Sequence, residues 1–356
     1  MNREFNFEPT AIGSLPYTNP KLACQIVLKY FNKIPFLPQL PRLSFYEGML
    51  TQLIEGLPGI VVDESNHRVY LDSPPEAGEL EKFYDKFIQQ DFNYFAISQR
   101  HAAGFHQMLK LITEEPKDRR TKESFLKGQV TGPITFGLTL VDKDGKAVIH
   151  NETCAEIVVK LLTMKSLWLT QEISRLGLRP IIFIDEPVLA GYGSAFMPVN
   201  RETIQKQLTE VIEALHQTSA LVGIHCCGNT DWAILLGLPL DIISFDAYGF
   251  LDKFALYPEQ LKHFTERGGV IAWGIVPSVD LNQLPTVKEM VIRLKNGIET
   301  IARKGLNKER LLRQSLLTPS CGLGGLAEPE AESRLGLLKE LGYQAFNGDK
   351  VILEVL

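Results

Sequence analysis

The sequence predicts an α/β protein folded as a closed (β/α)8 TIM barrel, and three observations predict it. Short apolar runs alternate with long helical patterns, which is how parallel strands joined by crossover helices read. Eight such runs can be distinguished. Most of them end in polar or special residues, and in a parallel barrel the C-terminal strand ends form the active face. The rival architecture is an open doubly wound sheet. Its dinucleotide-binding version is disfavoured because no Gly-x-Gly-x-x-Gly follows the first run.

In chain order the runs are 10–14 (TAIGS), 35–39 (PFLPQ), 127–132 (KGQVTG), 180–186 (PIIFIDE), 221–227 (LVGIHCC), 241–246 (DIISFD), 270–276 (VIAWGIV) and 314–321 (QSLLTPSC). The second and eighth contain prolines, which lack the N–H a ladder needs. Helices are predicted over 151–177, 198–217, 256–266, 284–304 and 329–342. The clearest is 284–304, where Val287, Met290, Val291, Leu294, Ile298 and Ile301 form one apolar stripe of helical period. Gly305 supplies its stop, and Pro329 suits the first turn of the last helix. The connection between the second and third strands, about 40–126, is long. Its start reads as a helix, Ile60–Asp63 and Arg68–Leu71 flank a polar turn as a hairpin, and helical patterns follow near 76–90 and 98–114. It reads as an insertion over the barrel mouth, so residues 1–356 form one domain.

Composition narrows the function. A net charge of −5 over 356 residues lacks the basic footprint that nucleic acid requires. With 45% apolar and 22% charged residues the chain is globular rather than disordered. No run of about 18 apolar residues exists to span a membrane. The polar start, Met1 to Pro9, has no signal-peptide core, so a cytoplasmic location is expected. The five cysteines are Cys24, Cys154, Cys226, Cys227 and Cys321, too few for a disulfide framework in a chain of this size. A reduced setting is expected, where clustered Cys and His suggest metal or catalysis. Cys24 and Cys154 fall in helical stretches and read as small buried hydrophobes.

The strand ends carry the chemistry: Gly13-Ser14, Gln39, Thr131-Gly132-Pro133, Asp185-Glu186-Pro187, His225-Cys226-Cys227, Asp246 and Cys321-Gly322. Strand side chains alternate, so His225 and Cys227 share one side while Cys226 points away. With Asp246 and Cys321 from two other strands, they offer two thiols, an imidazole and a carboxylate, a donor set that suits zinc. An inert buried cluster or a closed structural zinc is the plainer alternative. Structural zinc, however, commonly uses closely spaced cysteine pairs, whereas these residues come from three strands. Asp185 and Glu186 must face opposite ways, one toward the pocket and the other toward a neighbouring element, where a salt bridge to a helix would explain it. Gly13 reads as a close backbone approach, and Ser14 offers N–H and hydroxyl donors to an anion, although Gly-Ser can also be a mere turn.

These residues occur in one order. Thr10-Ala-Ile-Gly-Ser-Leu-Pro16, Thr131-Gly-Pro133, Ile184-Asp-Glu-Pro187, His225-x-Cys227, Ile243-Ser-Phe-Asp246 and Pro319-Ser-Cys-Gly-Leu323 resemble the C-terminal catalytic barrel of cobalamin-independent methionine synthase. The resemblance runs from about residue 10 to 325. It implies a (β/α)8 barrel of the group that holds uroporphyrinogen decarboxylase and the methylcobamide:thiol methyltransferases. It also implies a zinc ion (Zn2+) held by His225, Cys227 and Cys321, with Asp246 at the family's glutamate position and one methylene shorter. Ile12, Gly13, Ser14 and Asp185 fall where the family holds the carboxylate and amine of homocysteine. The expected reaction is methyl transfer to a thiol, since zinc coordination makes the nucleophilic thiolate at neutral pH.

Three departures from the family shape the expectation. The family's N-terminal half has no counterpart in this chain. Val276 stands where the family has a proton-relay histidine, and Gln39 where a glutamate contacts the substrate amine. A donor whose leaving group needs no proton suits such a site, so a methyl-corrinoid is expected rather than methyltetrahydrofolate. The chain lacks an Asp-x-His-x-x-Gly corrinoid signature, so a separate corrinoid protein would deliver it. The alternatives are another thiol such as coenzyme M, a zinc hydrolase using Asp185 or Glu186 as base, and a thiol- or corrinoid-binding accessory protein.

Overall fold

The computed structural model describes residues 4–114, 124–194, 197–279, 283–347 and 350–351. Its strands are β1 (Glu8–Pro9), β2 (Ile60–Asp63), β3 (Arg68–Leu71), β4 (Phe125–Thr131), β5 (Arg179–Asp185), β6 (Leu221–Cys226), β7 (Ile242–Phe245), β8 (Val270–Val276) and β9 (Ser315–Pro319). The helices are α1 (Pro20–Tyr30), α2 (Ala77–Ile88), α3 (Ala103–Glu114), α4 (Pro133–Thr139), α5 (Glu152–Arg175), α6 (Arg201–His216), α7 (Trp232–Leu236), α8 (Ala247–Phe254), α9 (Pro258–Glu266), α10 (Val287–Ala302), α11 (Lys308–Arg313) and α12 (Glu328–Ala345).

Seven strands form one parallel sheet in the order β1-β9-β8-β7-β6-β5-β4. The segment 33–39 closes the ring between its two ends. Phe125 and Lys127 donate their N–H groups to Lys33 and Pro35, and Leu37 donates back to Lys127. On the other edge Gln39 donates to Gly13, and Leu15 to Gln39. The predicted second strand is therefore present as a spacer, with single bridges at Phe36–Lys127 and Ser14–Gln39. Pro35 and Pro38 deny it a regular ladder. The first run also differs from expectation. Its regular pairing lies at Glu8–Pro9, and 10–14 continues the edge through isolated bonds such as Thr10 N to Leu317 O at 3.0 Å.

Inside the ring, Ile12, Ile34, Ile181, Phe183, Leu221, Ile242, Val270, Ala272 and Leu316 form an apolar plug separate from the main core. The Phe183 ring fits because Gly223 on the adjacent strand has no Cβ. One placed there would lie 2.4 Å from the ring. Outside the ring, the helices bury their apolar faces on the strands. The Thr286–Glu289 capping box starts α10, and its predicted stripe from Val287 to Ile301 is buried. Each such side chain contributes about 1.5–3 kcal/mol of burial.

The start of the connection after residue 39 is not the expected helix but two short 3-10 turns, Phe45–Glu47 and Thr51–Leu53. Gly48, extended at φ −67 and ψ 155, ends the first of them. The expected hairpin forms as β2 and β3 with the predicted limits. The helix expected at 98–114 starts at Ala103, and α2 occupies most of 76–90. Glu47, 1% exposed, accepts from Ala103 N at 2.5 Å and Leu40 N at 3.2 Å, which ties this connection to α3. Thr131 Oγ1, at the end of β4, donates to Met49 O at 2.7 Å, so the connection also touches the barrel mouth. Among the described residues no helix is long and apolar enough to cross a membrane.

Candidate metal centre

Three of the four predicted ligands meet at the C-terminal end of the sheet. One ligand atom from each of His225, Cys227 and Cys321 lies within 4.8 Å of the other two. His225 is the penultimate residue of β6 and 3% exposed. Its Nδ1 lies 3.0 Å from Ser244 Oγ on the neighbouring β7, and its Nε2 has no hydrogen-bond partner among the described residues. A ring held by one nitrogen with the other unspent is the arrangement of a metal-ligating histidine. Cys226 is the outward residue expected from strand alternation: it is buried, and its thiol lies 3.7 Å from Gly228 O.

The two other sulfurs share their protons unequally. Cys227 is pushed down, first by the neighbouring Cys321 thiol and then by the His225 ring. Cys321 is pushed up, chiefly by its contact with Cys227. The contact favours loss of the pair's first proton, and a bound cation would displace the second. Two sulfurs and a free imidazole nitrogen form a donor set that fits zinc.

Asp246 stands outside that cluster. It is the N-cap of α8, with Oδ1 accepting from Gly249 N at 2.7 Å. Burial raises its pKa, the Gly249 and Tyr248 amides lower it, and Cys227 raises it. The carboxylate is close enough to sense the Cys227 charge but is engaged by the start of its own helix.

Asp185 and Glu186 face opposite ways and lead different lives. Asp185 ends β5 inside the ring, and its buried Oδ1 has no hydrogen-bond partner among the described residues. Burial raises its pKa, while His225 and then Lys127 draw it down. Glu186, 0% exposed, accepts from Ile134 N (2.9 Å), Thr135 N (2.7 Å) and Thr135 Oγ1 (2.6 Å) at the start of α4. It is a helix cap rather than the salt bridge expected, and burial lifts it to about 7. Gly132 makes room for it, since a Cβ there would lie 2.2 Å from Glu186 Oε1.

The first strand's motif lies on the rim beside Cys321. Ser14 O accepts from Leu323 N at 2.9 Å, and a Cβ at Gly324 would fall 2.2 Å from Ser14 Oγ. Ile12 packs in the plug below, so its side chain serves the core. The space at Gly13 is taken by the Gln129 amide, with Nε2 1.2 Å from where a Cβ would stand. Val276 ends β8 fully buried. Sequence reasoning missed Ser244, Lys127 and Gln129, although each is a polar residue at an inward position of an otherwise buried strand, and that parity was the available signal.

The fold and site define a parallel α/β barrel with a thiol-rich cluster at its C-terminal mouth. The same fold occurs in the B12-independent methionine synthase from Shewanella sp. W3-18-1, solved in complex with selenomethionine. The two superpose with a TM-score of 0.56 over 94% of this chain and 96% of that one, at 16% identity. A GH138 enzyme targeting pectin rhamnogalacturonan II overlaps over 73% of this chain and 37% of its own, at 12% identity and a TM-score of 0.30, too loosely for argument. No family model and no curated protein matches the chain.

Proposed function

We propose that this chain is a zinc-dependent thiol S-methyltransferase that methylates homocysteine to methionine, with a methyl-corrinoid as donor. The observation that carries the reading is the cluster of His225, Cys227 and Cys321, with an unspent imidazole nitrogen, at the mouth of the ring. The methionine-synthase fold at 94% coverage supports it. Zinc held by these three residues would supply Lewis acidity that turns a thiol substrate into a thiolate at neutral pH. Asp246 is the candidate for a fourth ligand, on release from its cap.

The protein's own groups do the rest. Ser244 holds the His225 ring so that Nε2 stays available. Asp185 presents a carboxylate oxygen without a hydrogen-bond partner among the described residues, suited to the substrate ammonium. Ser14 lies on the rim next to the Cys321 loop, placed to donate to the substrate carboxylate. Val276 offers no proton where β8 reaches the mouth, so a donor whose leaving group departs unprotonated, as a corrinoid does, suits the site. The connection at 40–126 would then shape a docking surface for a corrinoid protein within a single cytoplasmic domain. The test is to mix zinc-loaded protein and homocysteine with methylcobalamin or methyltetrahydrofolate at equal concentration and assay methionine. Faster turnover with methylcobalamin is expected. Equal or faster turnover with the folate overturns the donor assignment, and no methionine from either overturns the reaction.

A further inference from the structure

Methyl transfer leaves unused a chain of hydrogen bonds through the upper barrel. Lys127, 0% exposed, lies with Nζ 4.2 Å from the centre of the Phe183 ring and donates to Gln129 Oε1 at 2.7 Å. Gln129 Nε2 donates to Gln39 Oε1 at 2.8 Å, and Gln39 Nε2 to Gln52 Oε1 at 2.8 Å. Gln52 Nε2 donates to the His101 carbonyl at 3.1 Å. An ammonium group has only donors and a carbonyl only acceptors. Both ends therefore impose the same order, and no amide between them can turn round without facing two like groups.

Gln39 is where the chain reaches the mouth. Lys127, Gln129 and Gln52 are buried, whereas Gln39 is partly exposed. Of these four side chains Gln39 alone is partly exposed, so it is the one a ligand at the mouth meets first. Gln39 bridges to Ser14, and Ser14 holds the loop that follows Cys321, so these three succeed one another along the rim. The Gln39 oxygen is already engaged by Gln129, while Nε2 spends one N–H on Gln52 and its second has no partner among the described residues. Polarisation from the ammonium end strengthens that donor.

We infer that Gln39 is a specificity-determining residue that selects thiols by a hydrogen-bond acceptor at the end remote from sulfur, which in homocysteine is the carboxylate. This rests on the thiol-methyltransferase reading. Asp185 makes it a demanding claim, because that carboxylate favours an amine.

The test titrates the Co2+-substituted protein with two analogues of homocysteine, mercaptobutanoate (amine removed) and aminopropanethiol (carboxylate removed). Binding is followed by the thiolate-to-cobalt absorption band rather than by turnover. Mercaptobutanoate is expected to bind at least about ten-fold more tightly. Gln39→Leu should shrink that preference to less than about three-fold through weaker mercaptobutanoate binding. Aminopropanethiol binding as tightly as mercaptobutanoate in the wild type overturns the inference and leaves methyl transfer standing, a result that needs no folded variant. A preference that survives intact in Gln39→Leu overturns it as well. If neither thiol changes the band, the inference and the reading beneath it fall together.

Discussion

The lower and upper halves of the barrel interior are built on opposite principles. Below, Ile12, Ile181, Phe183, Leu221, Ile242 and Leu316 fill the ring with apolar side chains. Above, Asp185 Oδ1 and His225 Nε2 are buried without hydrogen-bond partners among the described residues, beside the Cys227 and Cys321 sulfurs. Close packing stabilises the first half. The second retains unsatisfied polar atoms that cost stability and make sense as binding capacity. The same strands run through both halves, so a residue's height along a strand sets its job.

Four sets of measurements test that division, and the largest effect is expected at the top. Cys321→Ser should lose most bound zinc while Cys226→Ser keeps it, because Cys226 faces the packing behind β6; metal analysis of the purified variants decides. Full zinc in Cys321→Ser would remove the metal centre from the account. At the bottom, Phe183→Ala should cost about 3–5 kcal/mol of stability in denaturant unfolding, since it empties the plug. A loss below about 1 kcal/mol would mean the plug is not close-packed.

The paired acids sharpen the contrast. Glu186→Gln should cost about 1–3 kcal/mol, because one of its three donors at α4 would then face an amide NH2. Asp185→Asn should leave stability level or raised, since it removes a buried charge whose Oδ1 has no partner among the described residues, while weakening homocysteine binding. Unfolding midpoints and substrate titrations for both variants measure the two effects. A larger stability loss in Asp185→Asn would reverse the assignment.

The smallest effect is in pH. Burial lifts Glu47 from 4.5 to about 7. Its folded form therefore keeps a proton that the unfolded chain releases, so its contribution to stability is full below pH 4.5 and declines as pH rises through about 7. Wild type should lose stability relative to Glu47→Gln between pH 5 and pH 8. Denaturation midpoints at both values give the difference directly, and a constant difference would count against the shift.

The alternation of strands and helices, the eight runs and the polar strand ends were legible because they follow from period and local chemistry. Strand alternation alone separated Cys226 from Cys227 and Asp185 from Glu186. The role of Asp246 was half legible: an Asp just before an apolar helix is a cap signal as well as a ligand signal, and the α8 amides engage it. Helices α4, α7 and α11 were not foreseen, being five to seven residues long and too short to show a period.

The sequence by itself determined which residues could face inward and which donor types stood at the strand ends, since both depend only on order along a strand. Tertiary structure decided which of them meet. His225, Cys227 and Cys321 come from β6 and the end of β9, nearly a hundred residues apart, and ring closure brings them together. Lys127, Gln129, Gln39 and Gln52 touch because the segment with Pro35 and Pro38 seals the barrel between β4 and the first strand. No local pattern encodes that contact, because a hydrogen bond between distant residues depends on register across the closed ring.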